Sequence, residues 1–546
     1  MEFTWEVSNN CASGRLTIPH PMDRGFLPKH GDDESYMAGS DDPIVKVSVA
    51  RRWFILAAVV LGSTVYNATV LIASGLQPQM QGALAATPDE IAWTVTFNIL
   101  ATAVITPMTG WLVARFGSRN VMVWSMAIFT VGTLLCGLAT SLEGLVAWRI
   151  VQGGGGAALV PLGQTILLNV FPSYQHGLAI SVFGVANMAG PVLGPSIGGY
   201  IAELWSWRWV FYLTVPFGIA AFVGFRLSLP ADGPESKVKL DWTGFLALAA
   251  ALALAQLVLS RGQRLDWFES NLILAATLLA AIALYVFVAH CLTTASPFLD
   301  LKLLLDRNYA LGLALVTIFG MLNFTPMVLL PQLLQAHSGY PDSLIGFIIS
   351  WRGIGAVVGF FLSNWLGRID ARVGVLCGFS IQALSGLWLS SINLDVSTTV
   401  LAANGFLQGF AIGIIWVPMS LAAMRTLPAA SRPEAMAVFH LMRNIGSSFF
   451  ISLSVAEIVR ATGANYSRLT EMVSPFNRAL DLPWVIGSWS VETLPGLAKL
   501  AAEINRQAAL IGYLNAFTLY TAASLAAIPL VLMIRGRQKT AVPARP

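Results

Sequence analysis

Residues 189–199 read Ala189-Gly190-Pro191-Val192-Leu193-Gly194-Pro195-Ser196-Ile197-Gly198-Gly199, two Gly-Pro pairs four residues apart and then a glycine pair. Proline frees carbonyls that a neighbour must satisfy, and the small residues give a smooth face on which another helix can lie closely. Packing alone would account for one Gly-x-x-x-Gly. This density points to a kinked helix that works against a partner inside a membrane.

The surrounding chain supports a membrane setting. Fourteen nearly uncharged stretches lie at approximately 53–77, 91–113, 120–142, 143–171, 178–202, 209–229, 242–260, 270–292, 308–334, 343–367, 373–394, 396–424, 435–459 and 508–534. Each can cross a bilayer, which takes about 20 mostly apolar residues because the backbone must close its own hydrogen bonds there. Charged residues are 11% of the 546 and hydrophobic residues 56%; a soluble domain carries roughly 25% charged residues. The expected fold is an all-α integral membrane domain of 14 transmembrane helices.

Several function classes fall away. The net charge of +4 is modest and its positives sit at helix ends, so nucleic-acid binding has no support. Cys11, Cys136, Cys291 and Cys377 have no paired spacing, and neither a disulfide frame, a metal site nor a cofactor is expected. No Gly-Lys-Ser/Thr phosphate loop occurs, which excludes ATP as the direct energy source. Clustered His, Asp or Glu at a membrane face, which an embedded enzyme would show, are also missing.

Lys and Arg are retained on the cytoplasmic side. Arg51 and Arg52 precede the first span, and even-numbered loops carry Arg115 and Arg119, Lys237 and Lys239, Lys302 and Arg307, Arg368 and Arg372, Arg425 and Arg432. Both termini are therefore expected in the cytoplasm. Residues 1–50, with Gly31-Asp32-Asp33-Glu34 and no apolar h-region, read as a disordered tail and not as a signal peptide. The long outer segment 460–507 contains Leu497 to Ile504, which reads either as a short amphipathic surface helix or as a packed loop.

An internal repeat underlies the spans. Arg115 and Arg119 follow span 2, and Arg368 and Arg372 follow span 10 with the same spacing; Gln152-Gly153 and Pro161 in span 4 match Gln408-Gly409 and Pro418 in span 12. The offset of about 255 residues gives an N-terminal six-helix half at 51–230, an inserted pair at 231–300, a C-terminal half at 301–535 and a tail at 536–546. Two repeated halves with a site between them near the midplane suit alternating access.

The loop Gly110-Trp111-Leu112-Val113-Ala114-Arg115-Phe116-Gly117-Ser118-Arg119 combines glycines for a tight turn with arginines able to cap helix C-termini. It reads as a gate or, equally, as positive-inside anchoring. This loop, Arg149 to Gly153, and the Gly-Pro run resemble the motifs of the major facilitator superfamily, the run resembling that of its drug/proton antiporters. Leu240-Asp241-Trp242-Thr243-Gly244, Trp207-Arg208-Trp209-Val210-Phe211, Leu469-Thr470-Glu471, Ser474-Pro475-Phe476-Asn477 and the inserted pair are similar to the fourteen-helix EmrB/QacA branch, closest to EmrB-like members. The resemblance implies proton-driven export of amphipathic compounds from a bacterial inner membrane. It also implies a periplasmic adaptor and an outer-membrane channel as partners. Two departures stand out. Gly62 occupies the place of a commonly found aspartate in span 1, and Ala114 that of another in the loop.

An ionisable group inside a span costs about 2.5 to 3.5 kcal/mol on insertion scales, so the survivors are functional candidates. Arg149, Gln152, Asn67, Gln164, Arg352 and Arg443 are candidate cavity contacts, with buried carbonyl pairing as the plain alternative for the arginines. His440 and Glu457 are candidates for proton coupling; hydrogen-bonded packing and pairing with Arg460 are the respective alternatives. The candidate conformational set is Gly110, Arg115, Gly117, Arg119, Gly190, Pro191, Gly194, Pro195, Gly198 and Gly199. The alternative within transport, which the missing carboxylate and three intramembrane arginines would suit, is an exporter of organic anions such as fatty acids or siderophores. The rival of another class is a nontransporting membrane subunit or embedded enzyme.

Overall fold

A computed structural model describes residues 47–231, 238–294, 297–366, 370–474 and 493–533, with positions 476, 477, 480, 482, 489 and 491. Arg368 and both expected tails, apart from 47–50, lie outside these residues, as do the side chains of Leu193, Pro195, Ser196 and Ile197 and the surroundings of Gly199. Fourteen helices carry the fold: α1 (Val49–Gly75), α2 (Pro88–Ile105, then Thr109–Phe116), α3 (Ser118–Leu138), α4 (Leu142–Gly156, then Leu159–Val170), α5 (His176–Leu204), α6 (Trp207–Ser228), α7 (Trp242–Arg261), α8 (Asn271–Thr293), α9 (Arg307–Ala336), α10 (Asp342–Leu366), α11 (Ala371–Leu389), α12 (Thr398–Met424), α13 (Arg432–Thr470) and α14 (Leu494–Leu532). Among the described residues thirteen are long and apolar enough to cross a membrane. The 29-residue α5, which holds the Gly-Pro run, completes the set.

Polar side chains mark the helix starts. Thr87 and Glu90 form a capping box at α2, and Ser141, Asp241, Asp306 and Ser397 each accept a backbone N–H at the first turn of α4, α7, α9 and α12. Arginines close the helix ends. Arg51 Nε donates to Ser228 O at 2.7 Å and Arg119 to Arg226 O at 2.7 Å, both at the C-terminus of α6; Arg208 donates to Ala139 O at 3.0 Å, at the end of α3. Arg307 donates to Met533 O at 3.0 Å, closing α14 as Arg51 closes α6.

That equivalence extends to packing. α1 packs on α5, α2 on α4, and α3 on α4 and α6; α9 likewise packs on α13, α10 on α12, and α11 on α12 and α14. α7 and α8 pack on each other and border α2 and α13. Asp241 holds this pair in place by accepting from Gly244 N at 3.0 Å, His290 Nε2 at 2.9 Å and Phe298 N at 3.1 Å. Partial burial would raise its carboxyl, but these three donors outweigh that and hold it below the usual carboxylate range.

Two expectations are corrected. Leu497 to Ile504 is neither a separate surface helix nor a loop but the opening of α14, which Thr493 caps at Gly496 and which runs on unbroken for 39 residues. α13 is also 39 residues long. At 1.5 Å per residue each reaches ~58 Å, against ~30 Å of hydrocarbon, so much of the outer segment 460–507 is helix extended beyond the bilayer. Span 4 is also not one helix: it breaks at Ala157-Ala158, directly after the four glycines 153–156.

The Gly-Pro run lies within continuous helix, and its first glycine packs against α1. A Cβ on Gly190 would sit 2.7 Å from Ala68 N and 3.0 Å from Thr64 O, backbone atoms that cannot swing aside. Gly190→Leu should therefore destabilise the protein by about 1–3 kcal/mol or more, read as a lower melting temperature in neutral detergent. An unchanged melting curve would mean that α1 and α5 are not in this contact.

Candidate functional site

α1–α6 meet α9–α14 through α5 against α10 and α12, and through α2 and α4 against α13. Three hydrogen bonds join the two sets: Ser181 Oγ to Phe360 O at 2.8 Å, Arg432 to Asn169 Oδ1 at 3.2 Å, and His440 Nε2 with Gln164 Oε1 at 2.9 Å. All lie toward the arginine-rich end, where α4 and α10 finish and α5 and α13 begin. Gly110 belongs to the same contact, since a Cβ there would be 2.8 Å from Glu434 Cβ, while Glu434 accepts Asp300 N at 2.7 Å. Gly117, at φ 83°, makes the turn that only glycine adopts easily. Arg119 caps α6 as expected of it, and Arg115 is also engaged.

Inside the first six helices, Arg149 is fully buried. It donates to Gln152 Oε1 at 2.6 Å, Thr94 O at 3.3 Å and Thr69 O at 3.4 Å, and lies 5.8 Å from the Phe211 ring. Gln152 passes the network to Thr133 at 2.7 Å, and Asn98 donates to Arg149 O at 2.8 Å. The second set repeats the arrangement. Arg352, also buried, donates to Gln408 Oε1 at 3.1 Å and to Asn323 O. Arg149, Gln152, Gln164 and Arg352, named above as candidate cavity contacts, are buried between helices in this structure. Main-chain and side-chain oxygens take up part of their donor capacity, while Arg149 Nη2, Gln164 Nε2 and Arg352 Nε have no described partner.

Asn67 and Arg443 behave otherwise. Asn67 donates to Asn187 Oδ1 at 2.6 Å and stays half-buried, joining α1 to α5. Arg443 is half-buried and keeps part of its surface accessible, unlike the buried Arg149 and Arg352. Its guanidinium lies 5.9 Å from the Phe324 ring and 5.6 Å from Trp416, and its described hydrogen bonds reach only the adjacent Asn444.

The coupling candidates separate by depth. The His440 ring lies tilted beside Trp416, centroids 5.5 Å apart, and bonds Gln164, with no carboxylate among its described partners. Glu457 accepts from Asn515 at 3.4 Å, not from Arg460. It lies about 25 residues into α13, roughly 37 Å along the axis and past the hydrocarbon thickness if Arg432 marks the opposite boundary. Gly62 abuts α6, with a Cβ there falling 2.7 Å from the Phe225 ring, so an aspartate would displace that ring. Sequence reading missed Asn323, Phe324, Trp416 and Glu434; the repeat of Gln152-Gly153 as Gln408-Gly409 hinted at the second polar cluster.

Comparison with known proteins agrees with this architecture. The family model described as Major Facilitator Superfamily matches residues 53–325 and 312–459. Multidrug export protein EmrB of Escherichia coli K12 is 30% identical over 426 residues, 77% of this chain and 81% of the relative. Fatty acid resistance protein FarB of Neisseria gonorrhoeae is 28% identical over 77% of this chain and 82% of its own. Among solved structures, a double-tryptophan variant of XylE has a TM-score of 0.60 at 13% identity, over 90% of this chain and 97% of that one, which speaks to the fold.

The two arginine environments make a contrast. Arg149→Ala orphans several buried acceptors at about 1–3 kcal/mol each, so melting temperature and monodisperse yield should drop. Arg443→Gln should melt within about 1 kcal/mol of the parent, since its described hydrogen bonds go only to the adjacent Asn444 and their loss orphans no acceptor on another helix. Equal losses would refute the division into scaffold and internal surface.

Proposed function

Because the chain belongs to the major facilitator superfamily, we propose that it exports amphipathic small molecules by rocking its two six-helix halves, 51–230 and 301–535, about a site between them. It is a multi-pass membrane transporter and not an enzyme. Bonds between the halves gathered at one end, with an accessible cation deeper inside, are the observation that supports alternating access most directly.

In this reading the arginine-rich end faces the cytoplasm of a bacterial inner membrane, both termini lie there, and the present conformation is closed toward it. Gly110, Arg115, Gly117 and Arg119 hold that gate against α13, while Gly190, Pro191, Gly194, Pro195, Gly198 and Gly199 let α5 move on its neighbours. Asn67 and Arg443 line the substrate path. His440 with Gln164 acts as a latch between halves. Glu457 remains a coupling candidate at the outer edge, and Glu434 joins it at the gate. The name of the EmrB relatives supports a multidrug-type cargo and that of FarB a fatty-acid-like one. A periplasmic adaptor and outer-membrane channel would complete the export route.

Uptake into inside-out proteoliposomes under an imposed pH gradient, across a panel of amphipathic anions and cations, tests the assignment. At least one compound should accumulate in proportion to the gradient, and none doing so would overturn the export reading. Arg115→Ala should lower turnover several-fold while substrate binding stays within about twofold, because the residue acts between conformations. Unchanged turnover would reduce the loop to a topology signal.

A further inference from the structure

The geometry points to Arg443 as the headgroup contact of a substrate site selective for amphipathic organic anions, a carboxylate, sulfonate or phosphate ester on an apolar tail. This rests on the export reading and narrows it to a charge class and a residue. Three observations converge. First, Arg443 lies about eleven residues into α13, roughly 16 Å along the axis, near the midplane where a site between repeats belongs. Second, it is the accessible one of the three intramembrane arginines, whereas Arg149 and Arg352 are locked among carbonyls and amides.

Third, no carboxylate is among the described partners of Arg443. Among the described residues the helical carboxylates nearest the interior are Glu434 in the first turn of α13 and Glu457 in its outer part. Three guanidinium charges in a low-dielectric interior repel a cation and attract an anion. The flanking rings of Phe324 and Trp416 hold the guanidinium plane and offer apolar surface beside it, so a headgroup can pair with the free edge while its tail lies on aromatic carbon. His440, three residues before Arg443 on α13, bonds Gln164 of α4 at 2.9 Å, so a ligand there is within reach of both halves.

Two permanently charged probes with one tail, octane-1-sulfonate and octyltrimethylammonium, separate this from charge-blind binding. Affinity is read from the thermal shift of the full chain in neutral detergent, and uptake in proteoliposomes. The sulfonate should bind at least tenfold more tightly than the ammonium. Arg443→Gln should weaken it roughly thirtyfold or more, as expected for truncating one side of a buried charge pair, while leaving ammonium binding level or improved. Arg443→Lys should recover part of the loss, which also covers the case where the glutamine variant folds poorly. Preference for the ammonium, or sulfonate affinity unchanged in both variants, overturns the inference. If the ammonium alone is taken up, the export reading stands while this one falls.

Discussion

Guanidinium charge in a medium with no water and no carboxylate to meet it is the constraint around which this bundle is arranged. Arg149 and Arg352 solve it identically in substance: each is surrounded by neutral oxygens drawn from several helices, Thr69 O and Thr94 O with Gln152 in one case, Asn323 O with Gln408 in the other. The acceptors obey the internal repeat, since Thr69 and Asn323 stand about as far apart in sequence as Gln152 and Gln408. The donors do not. In the first half the arginine comes from α4, in the second from α10, at the place where the first half has Asn98 in α2. The requirement kept between halves is a cation bridging three helices, and either neighbouring helix can supply it.

Such a bridge makes each half stiff, and the contrast with the joint between halves matters for movement. Inside a half, charge-assisted bonds in a buried site cannot be exchanged for water. Across the joint, the described bonds include a hydroxyl on a carbonyl and an imidazole on an amide, neutral contacts with a net worth of about 1 kcal/mol each. Glycine makes the closeness possible where α2 meets Glu434. A joint of this kind holds one state without locking it, which a rocking transporter requires.

Much of this was legible in the chain. Apolar length gave the helices, the arginine spacing gave the repeat, and loop glycines gave the turn at Gly117. What escaped was determined by three-dimensional neighbours. Whether an intramembrane arginine is scaffold or surface depends on which carbonyls lie across from it, and nothing near Arg149 or Arg443 in sequence distinguishes them. The continuation of α14 through Leu497 escaped for a different reason: charge ends a membrane span, but it does not end a helix in water.

Gly62 shows how these levels meet. Read in sequence, it is a missing carboxylate; in the fold, the position looks at Phe225 of α6. An acid there would sit in the packed seam between α1 and α6 and would have to push the ring aside to reach any path between the halves. With that place filled by packing, the carboxylates described on α13 are Glu434 near its start and Glu457 in its outer part. They lie roughly 14 and 21 Å along α13 from Arg443. In the proposed reading the proton carriers and the cargo contact are thus separate sites, and coupling between them would travel through movement of α13 itself, the helix that carries both acids, His440 and Arg443.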